Sequence, residues 1–363
     1  MIINSIKVAL VEIGQKPPIK PYRSHIRTSD TTVSGIVRLE ASNGIIGWGE
    51  FNANFLPDLS ASAMYESALP FVDGRDASNI QLYHQECTLE KRLFSGIELA
   101  MWDMWGKQTG LPVATLLGGA LKDRVELAAC MGIKSYEEAG QICSQYVEMG
   151  FTTVKTKAGS DIQEDLDMVR GIRDAVGDKL QIRIDPNRAY SLEEAAQLAK
   201  ALEPYELQYF EQPIMAEPLS DAHWLKQQTT TPIALNESVV EPDSVVEILK
   251  ANAADFLLPD THIAGGILPC VQIGHLCEAA NIPCIMHCGH DLGPKTAAMI
   301  HVAASGASYT LGNDTTYYGL LDDILETPLE IEAGHLAVSD KPGLGIDVSD
   351  EKVLRYAIDS AGW

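Results

Sequence analysis

From Val125 onward, short apolar runs alternate with helical patterns of 10–16 residues, and no other feature of the chain restricts its fold so strongly. Strands are expected at 125–131, 152–157, 180–185, 207–211, 232–236, 255–259, 283–287 and 308–312. Helices are expected between them, for example at 135–149, 162–176, 191–202, 241–250, 266–280 and 293–305. Such alternation argues for parallel βα units. Eight strands without a topological break favour a closed barrel over an open sheet.

In a βα barrel the working face lies at the carboxyl ends of the strands. The second strand ends in Lys155 and Lys157, the third in Asp185, the fourth in Glu211 and the fifth in Glu237. The sixth ends in Asp260 and the seventh in His287, and the eighth is followed by Asn313-Asp314. From Lys157 to Asp314 these positions follow at intervals of 28, 26, 26, 23, 27 and 27 residues, each about one βα unit. They therefore fall at one level of the barrel and converge on one mouth.

Lys155 and Lys157 share a strand face because they are two residues apart. Held side by side, two cations disfavour each other's charge, so one pKa is expected to fall toward the range of a neutral-pH base. Read alone, the stretch better suits a solvated edge strand with two surface lysines. Asp185, Glu211 and Glu237 would repel one another without a cation between them, and oxygen ligands of this kind suit Mg²⁺ or Mn²⁺. An Asp beside a His fixes the imidazole tautomer and raises its basicity, which pairs Asp260 with His287. An acid/base group would then stand on each side of the metal trio.

Before the barrel, residues 1–122 read as an α+β unit. It has strands at 2–13 and 32–50, a hairpin turn at Asn43-Gly44, and helices at about 59–71, 78–91 and 93–108. A loop of about 15 residues after the first strand carries Lys16, Lys20, Tyr22, Arg23, His25 and Arg27. Loops this long are usually functional, and Tyr22, Arg23 and His25 are expected to bind substrate. A second polar loop runs from Phe51 to Asp58. The barrel is assigned to 123–318. The tail, 319–363, is too small to stand alone and is expected to pack back on the first unit.

A net charge of −23 repels phosphate backbones and argues against nucleic acid as a partner. A small carboxylate substrate would need local positive charge. No apolar run approaches the roughly 20 residues that span a bilayer, so no membrane association is expected. Seven scattered cysteines and no recognisable signal segment fit reduced thiols in a cytoplasm.

The order Lys-x-Lys (155–157), Asp-x-Asn (185–187), Phe-Glu-Gln-Pro (210–213), Asn-Glu-Ser (236–238), Pro-Asp (259–260) and His287 resembles the enolase superfamily. More narrowly it is similar to the mandelate racemase/muconate lactonizing group. The likeness extends to Gly47-Trp48-Gly49-Glu50, Trp102-Asp103, Leu117-Gly118-Gly119 and Pro342-Gly343-Leu344-Gly345. It implies a capping domain over a modified (β/α)₇β barrel, with Mg²⁺ on Asp185, Glu211 and Glu237. It further implies abstraction of the proton α to a carboxylate, giving a metal-stabilised enediolate. Lys157 would be the base on one face, with Lys155 its electrostatic neighbour, and the His287–Asp260 dyad would serve the other. In the muconate-lactonizing branch a lysine stands where Asp260 stands here. The racemase pattern offers a glutamate after strand eight, whereas this chain has Asp314, which is expected, with Asn187, among the residues that contact substrate. Asn187 is expected beside the metal or as a turn residue, and His262, His290 and Asp291 as substrate contacts or loop residues. A homo-oligomer is expected by resemblance only.

Acid-sugar dehydration is the expected reaction, with racemisation, epimerisation or cycloisomerisation as alternatives on the same site. A Schiff-base aldolase using Lys155 or Lys157 would not need the carboxylate trio. A non-catalytic barrel would be missing a ligand or a base, and none is missing.

Overall fold

The computed structural model describes residues 1–54 and 60–363. The expected loop 51–58 therefore lies partly outside the described residues.

The N-terminal strands Ile3–Gly14, Thr31–Ala41 and Ile46–Asn52 form an antiparallel meander. Gly44, at φ 81°, takes the left-handed position that the tight turn between the last two strands needs. The helix Lys91–Thr109 lies directly on Ile46–Asn52. A Cβ at Gly47 or Gly49 would run into the backbone of Ala100 or Gly96, so the glycines set this close approach.

The capping unit docks on the barrel through buried carboxylates. Glu98 accepts from the backbone N–H groups of Ile267 and Leu268, at 2.7 and 2.9 Å. Glu50 accepts from those of Leu292 and Lys295, also at 2.7 and 2.9 Å. Each glutamate thus satisfies donors that the first turn of a barrel helix leaves without an intrahelical partner.

The second to sixth barrel strands are Thr153–Lys157, Gln181–Asp185, Tyr209–Glu211, Ile233–Leu235 and Phe256–Leu257, all parallel. The first, Arg124–Met131, pairs in parallel with the second and with the last, Asn313–Thr315, which closes the ring. Around Cys284 the seventh strand is reduced to single bridges to Leu257 and Tyr309. Pro259 and Pro283 have no N–H to give to the ladder there.

The eighth strand differs from expectation. Its continuous ladder falls at Asn313–Thr315, whereas within 308–312 only Tyr309 bridges, to Cys284, and the Asn313 side chain takes the Met286 N–H. Asp314 is therefore a strand residue inside the barrel, opposite Ala128, and not a loop residue beyond it.

After the barrel the chain divides. The hairpin Ile331–Glu332 and His335–Ala337 adds antiparallel to the first barrel strand. Asp103 in the long capping helix accepts from the backbone of both Trp48 and Leu344, at 2.9 Å each, and so holds the Pro342–Gly345 turn. The last strand, Ala357–Ala361, pairs with Ile3–Gly14. Among the described residues no helix is long and apolar enough to cross a membrane.

Candidate active site

Strand register builds the site from neighbouring pairs. Lys155 stands opposite Arg183, and Lys157 opposite Asp185. Lys157 Nζ donates to Asp185 Oδ2. Lys155 Nζ lies 2.7 and 2.8 Å from the two Glu211 oxygens, 3.1 Å from Asp314 and 3.3 Å from Asp185. All of these groups are buried or nearly so.

The expectation that the two lysines depress each other's pKa does not hold for Lys155. Burial pushes it down, but Asp314, Glu211 and Asp185 together outweigh burial and hold it well above its ordinary value. Lys155 is a fixed cation. Burial likewise pushes the Asp185 carboxyl up, while Lys157 and Lys155 bring it below the usual carboxylate range. Glu211 and Glu237 are raised by burial and then by Asp185.

Asp185, Glu211 and His287 each offer a ligand atom within 4.8 Å of the others. Glu237 stands one step away. Asn187 Nδ2 lies 3.2 Å from Asp185 Oδ2 and 3.2 Å from Glu237 Oε1, bridging the two acids. Glu237 Oε2 is buried without a hydrogen-bond partner. Asn187 and Arg188 both have positive φ, 48° and 68°. This backbone turn after the third strand folds the Asn187 side chain back over Asp185. Two buried carboxylates and a half-buried third, whose Oε2 is orphaned, fit a hard divalent cation.

Across from the lysines, His287 Nδ1 donates to Asp260 Oδ2 at 2.9 Å. The carboxylate fixes the tautomer, so the lone pair is on Nε2, 3.7 Å from Glu211 Oε1. Burial first, then Lys155, push the imidazole down to about 4 despite Asp260, so His287 is neutral at pH 7.

A cavity of about 380 Å³ opens above this floor. Lys155, Lys157, Asn187, Arg188 and Glu237 reach its wall from the barrel, and Tyr22, Ser24, Arg27 and Ser29 from the capping loop. Tyr22 packs edge-on against His290, with ring centroids 4.1 Å apart. Neither Arg23 nor His25 is on that wall, although His25 lies close enough to Asp185, Lys157 and Arg188 to feel their charges. Arg23 turns outward to Glu164 at 2.7 Å, and His25 is exposed. Asp314 sits beneath Lys155 and takes Arg183 NH1 at 2.8 Å.

Sequence reasoning missed Arg183 and Lys295. Both are fully buried cations, and such residues are almost never fully buried unless paired. An Arg inside the run Gln181-Ile182-Arg183-Ile184 was the available signal; Lys295 gave none.

Fold and site together define an acid–base enzyme of the βα-barrel class. Residues 6–118 match the family described as mandelate racemase / muconate lactonizing enzyme, N-terminal domain, and residues 138–353 that described as enolase C-terminal domain-like. The chain belongs to this mandelate racemase/muconate lactonizing enzyme family of the enolase superfamily. It is 30% identical to an arabinonate dehydratase of Saccharolobus solfataricus, over 89% of this chain and 90% of that one. It is 28% identical to the L-Ala-D/L-Glu epimerase of Bacillus subtilis, over 91% and 93%. A dipeptide epimerase from Enterococcus faecalis, solved with Mg and L-Leu-L-Tyr, superposes with a TM-score of 0.88 at 26% identity, over 96% of this chain and all of that one. The chain is thus a lyase or isomerase that abstracts the proton α to a carboxylate.

Proposed function

We propose that the protein is an acid-sugar dehydratase acting on a small hydroxylated carboxylate, with Lys157 and His287 as proton-transfer groups on opposite faces. The observation that carries this reading is the Asp260–His287 pair, 2.9 Å apart, facing Lys155 and Lys157 across Asp185 and Glu211. Asp185, Glu211 and Glu237 would hold Mg²⁺, which supplies positive charge to the substrate carboxylate and makes its α-proton more acidic.

The chain's own groups do the rest. Lys155, a fixed cation, stabilises negative charge as the enediolate develops. Neutral His287, with its lone pair on Nε2, takes a proton on its face. As the imidazolium it returns that proton to a β-hydroxyl, which leaves as water. Lys157 serves the opposite face. Ser24, Ser29, Arg27, Arg188 and Asn187 on the cavity wall offer donors to a hydroxylated anion, beside the apolar Ile26 and Ile263.

Epimerisation is the second reading, favoured by the same two-sided placement of Lys157 and His287. It differs in the second step: after His287 removes the α-proton on its face, Lys157 delivers a proton to the same carbon on the other. Incubation with Mg²⁺ in D₂O and a panel of acid sugars, hydroxy acids and dipeptides tests both. Dehydration of an acid sugar, with loss of water and a 2-keto product, supports the first reading. Epimerised dipeptide without dehydration overturns it. Lys157→Ala and His287→Asn should each remove α-deuterium exchange from one face only. Exchange that survives on both faces in either variant overturns the two-base assignment.

A further inference from the structure

Lys295 lies in the first turn of the helix Gly293–Ser305, fully buried and outside the cavity wall. Its Nζ lies 2.9 Å from Asp260 Oδ1 and 2.8 Å from Asp291 Oδ1. Taking a lysine wholly out of water is costly, and well-packed apolar residues in place of such ion pairs are often neutral or stabilising. Stability alone therefore gives a weak reason for a charge here.

The geometry supplies a better one. Asp260 Oδ1 receives Lys295 Nζ and the His262 backbone N–H at 3.0 Å, and His262 Nδ1 lies 2.6 Å from that oxygen and 3.1 Å from Lys295 Nζ. With one oxygen saturated in this way, the carboxylate plane is fixed. The other oxygen, Oδ2, faces His287 Nδ1. Lys295 is itself held from the capping unit. Glu50 accepts the Leu292 and Lys295 backbone N–H groups and the Ser34 hydroxyl, the last at 2.8 Å. A continuous path runs from a capping strand through Glu50, Lys295 and Asp260 to His287.

We propose that Lys295 is a positioning residue that locks Asp260, and through it holds His287 in the single tautomer and orientation that present Nε2 to the substrate. This rests on the two-base reading above, and its test separates the two. The ¹⁵N resonances of the His287 imidazole are compared in the wild type and Lys295→Met without substrate, and α-deuterium exchange is then resolved by face. The wild type should show one Nδ1–H tautomer, and Lys295→Met a mixture. Exchange on the His287 face should fall about 10–100-fold, the usual cost of losing a group that orients a site residue, while the Lys157 face changes little. A general loss of structure would lower both faces alike. Unchanged imidazole resonances, or an unchanged ratio between the faces, would overturn the proposal. A wild type that exchanges no substrate would refute the two-base reading, and the resonances alone would then decide the role of Lys295. If Lys295→Met fails to fold, the Lys295→Met/Asp291→Asn double variant removes the lysine together with the carboxylate it neutralises and permits both measurements.

Discussion

Arg183 and Asp314 meet inside the barrel, NH1 to Oδ1 at 2.8 Å, although 131 residues separate them. One lies on the third strand and the other on the eighth, and neither reaches solvent. Lys155 contacts the other Asp314 oxygen at 3.1 Å. Asp314 therefore counterbalances two cations below the site and does not line the main cavity.

Removing one partner of a buried pair leaves the other charge uncompensated. Arg183→Met should lower unfolding free energy by about 3–5 kcal/mol, read from urea unfolding. The Arg183→Met/Asp314→Asn double variant should recover a large part of that loss. Equal losses in the single and double variants would show that Asp314 is not the partner that matters.

Metal binding should appear as stabilisation. Saturating Mg²⁺ at a hundred times its dissociation constant should add about 2.7 kcal/mol to the unfolding free energy, seen as a rise in Tm, and EDTA should reverse it. Asp185→Asn and Glu237→Gln should each suppress the rise. A full Mg²⁺ shift in Glu237→Gln would remove Glu237 from the ligand set and leave Asp185 and Glu211 with His287.

Lys155 is assigned charge stabilisation and not proton transfer. Lys155→Met should reduce kcat by about 10²–10³-fold, the scale of losing one preorganised donor. Because Lys157 and His287 remain, residual exchange should persist on both faces. Loss from one face alone would make Lys155 a base.

The buried imidazole also predicts a pH effect. The folded-state pKa of His287 is depressed to about 4, below the ordinary value near 6.5. Between those values the unfolded chain binds a proton that the folded chain refuses, so the contribution to stability is present above pH 6.5 and is lost as pH falls toward 4. That contribution is at most about 3 kcal/mol, at 1.36 kcal/mol per unit. In metal-free protein, His287→Asn should show a shallower fall of Tm across this window. An identical slope would mean that the imidazole is not buried neutral.

Much of the barrel was legible because one rule repeats. Strand parity and a βα period of about 26 residues place Lys157, Asp185, Glu211 and His287 at one level, and the structure brings these side chains together. Parity also placed Lys155 and Lys157 on one face, but it could not tell which carboxylates surround Lys155. Those come from the third, fourth and eighth strands, and their sum reverses the pKa shift that the lysine pair alone suggests. The eighth strand's ladder lies a few residues beyond the expected 308–312, where the Asn313 side chain takes a backbone N–H of the seventh strand. In the capping loop, Tyr22, Arg23 and His25 are singled out in sequence from six polar residues. The fold sends Tyr22 and Arg27 to the cavity and Arg23 to Glu164.

Family, barrel and the ring of ionisable strand ends are written in the amino-acid order, because they follow from local period and from residue spacing. The buried charge pairings come from the folded chain alone: Arg183 with Asp314, Lys295 with Asp260 and Asp291, and Glu50 with the helix that carries Lys295. These are contacts through space across a closed barrel and between two units. Which cation neutralises which acid there is set by low-dielectric proximity, and distance along the chain carries no record of it.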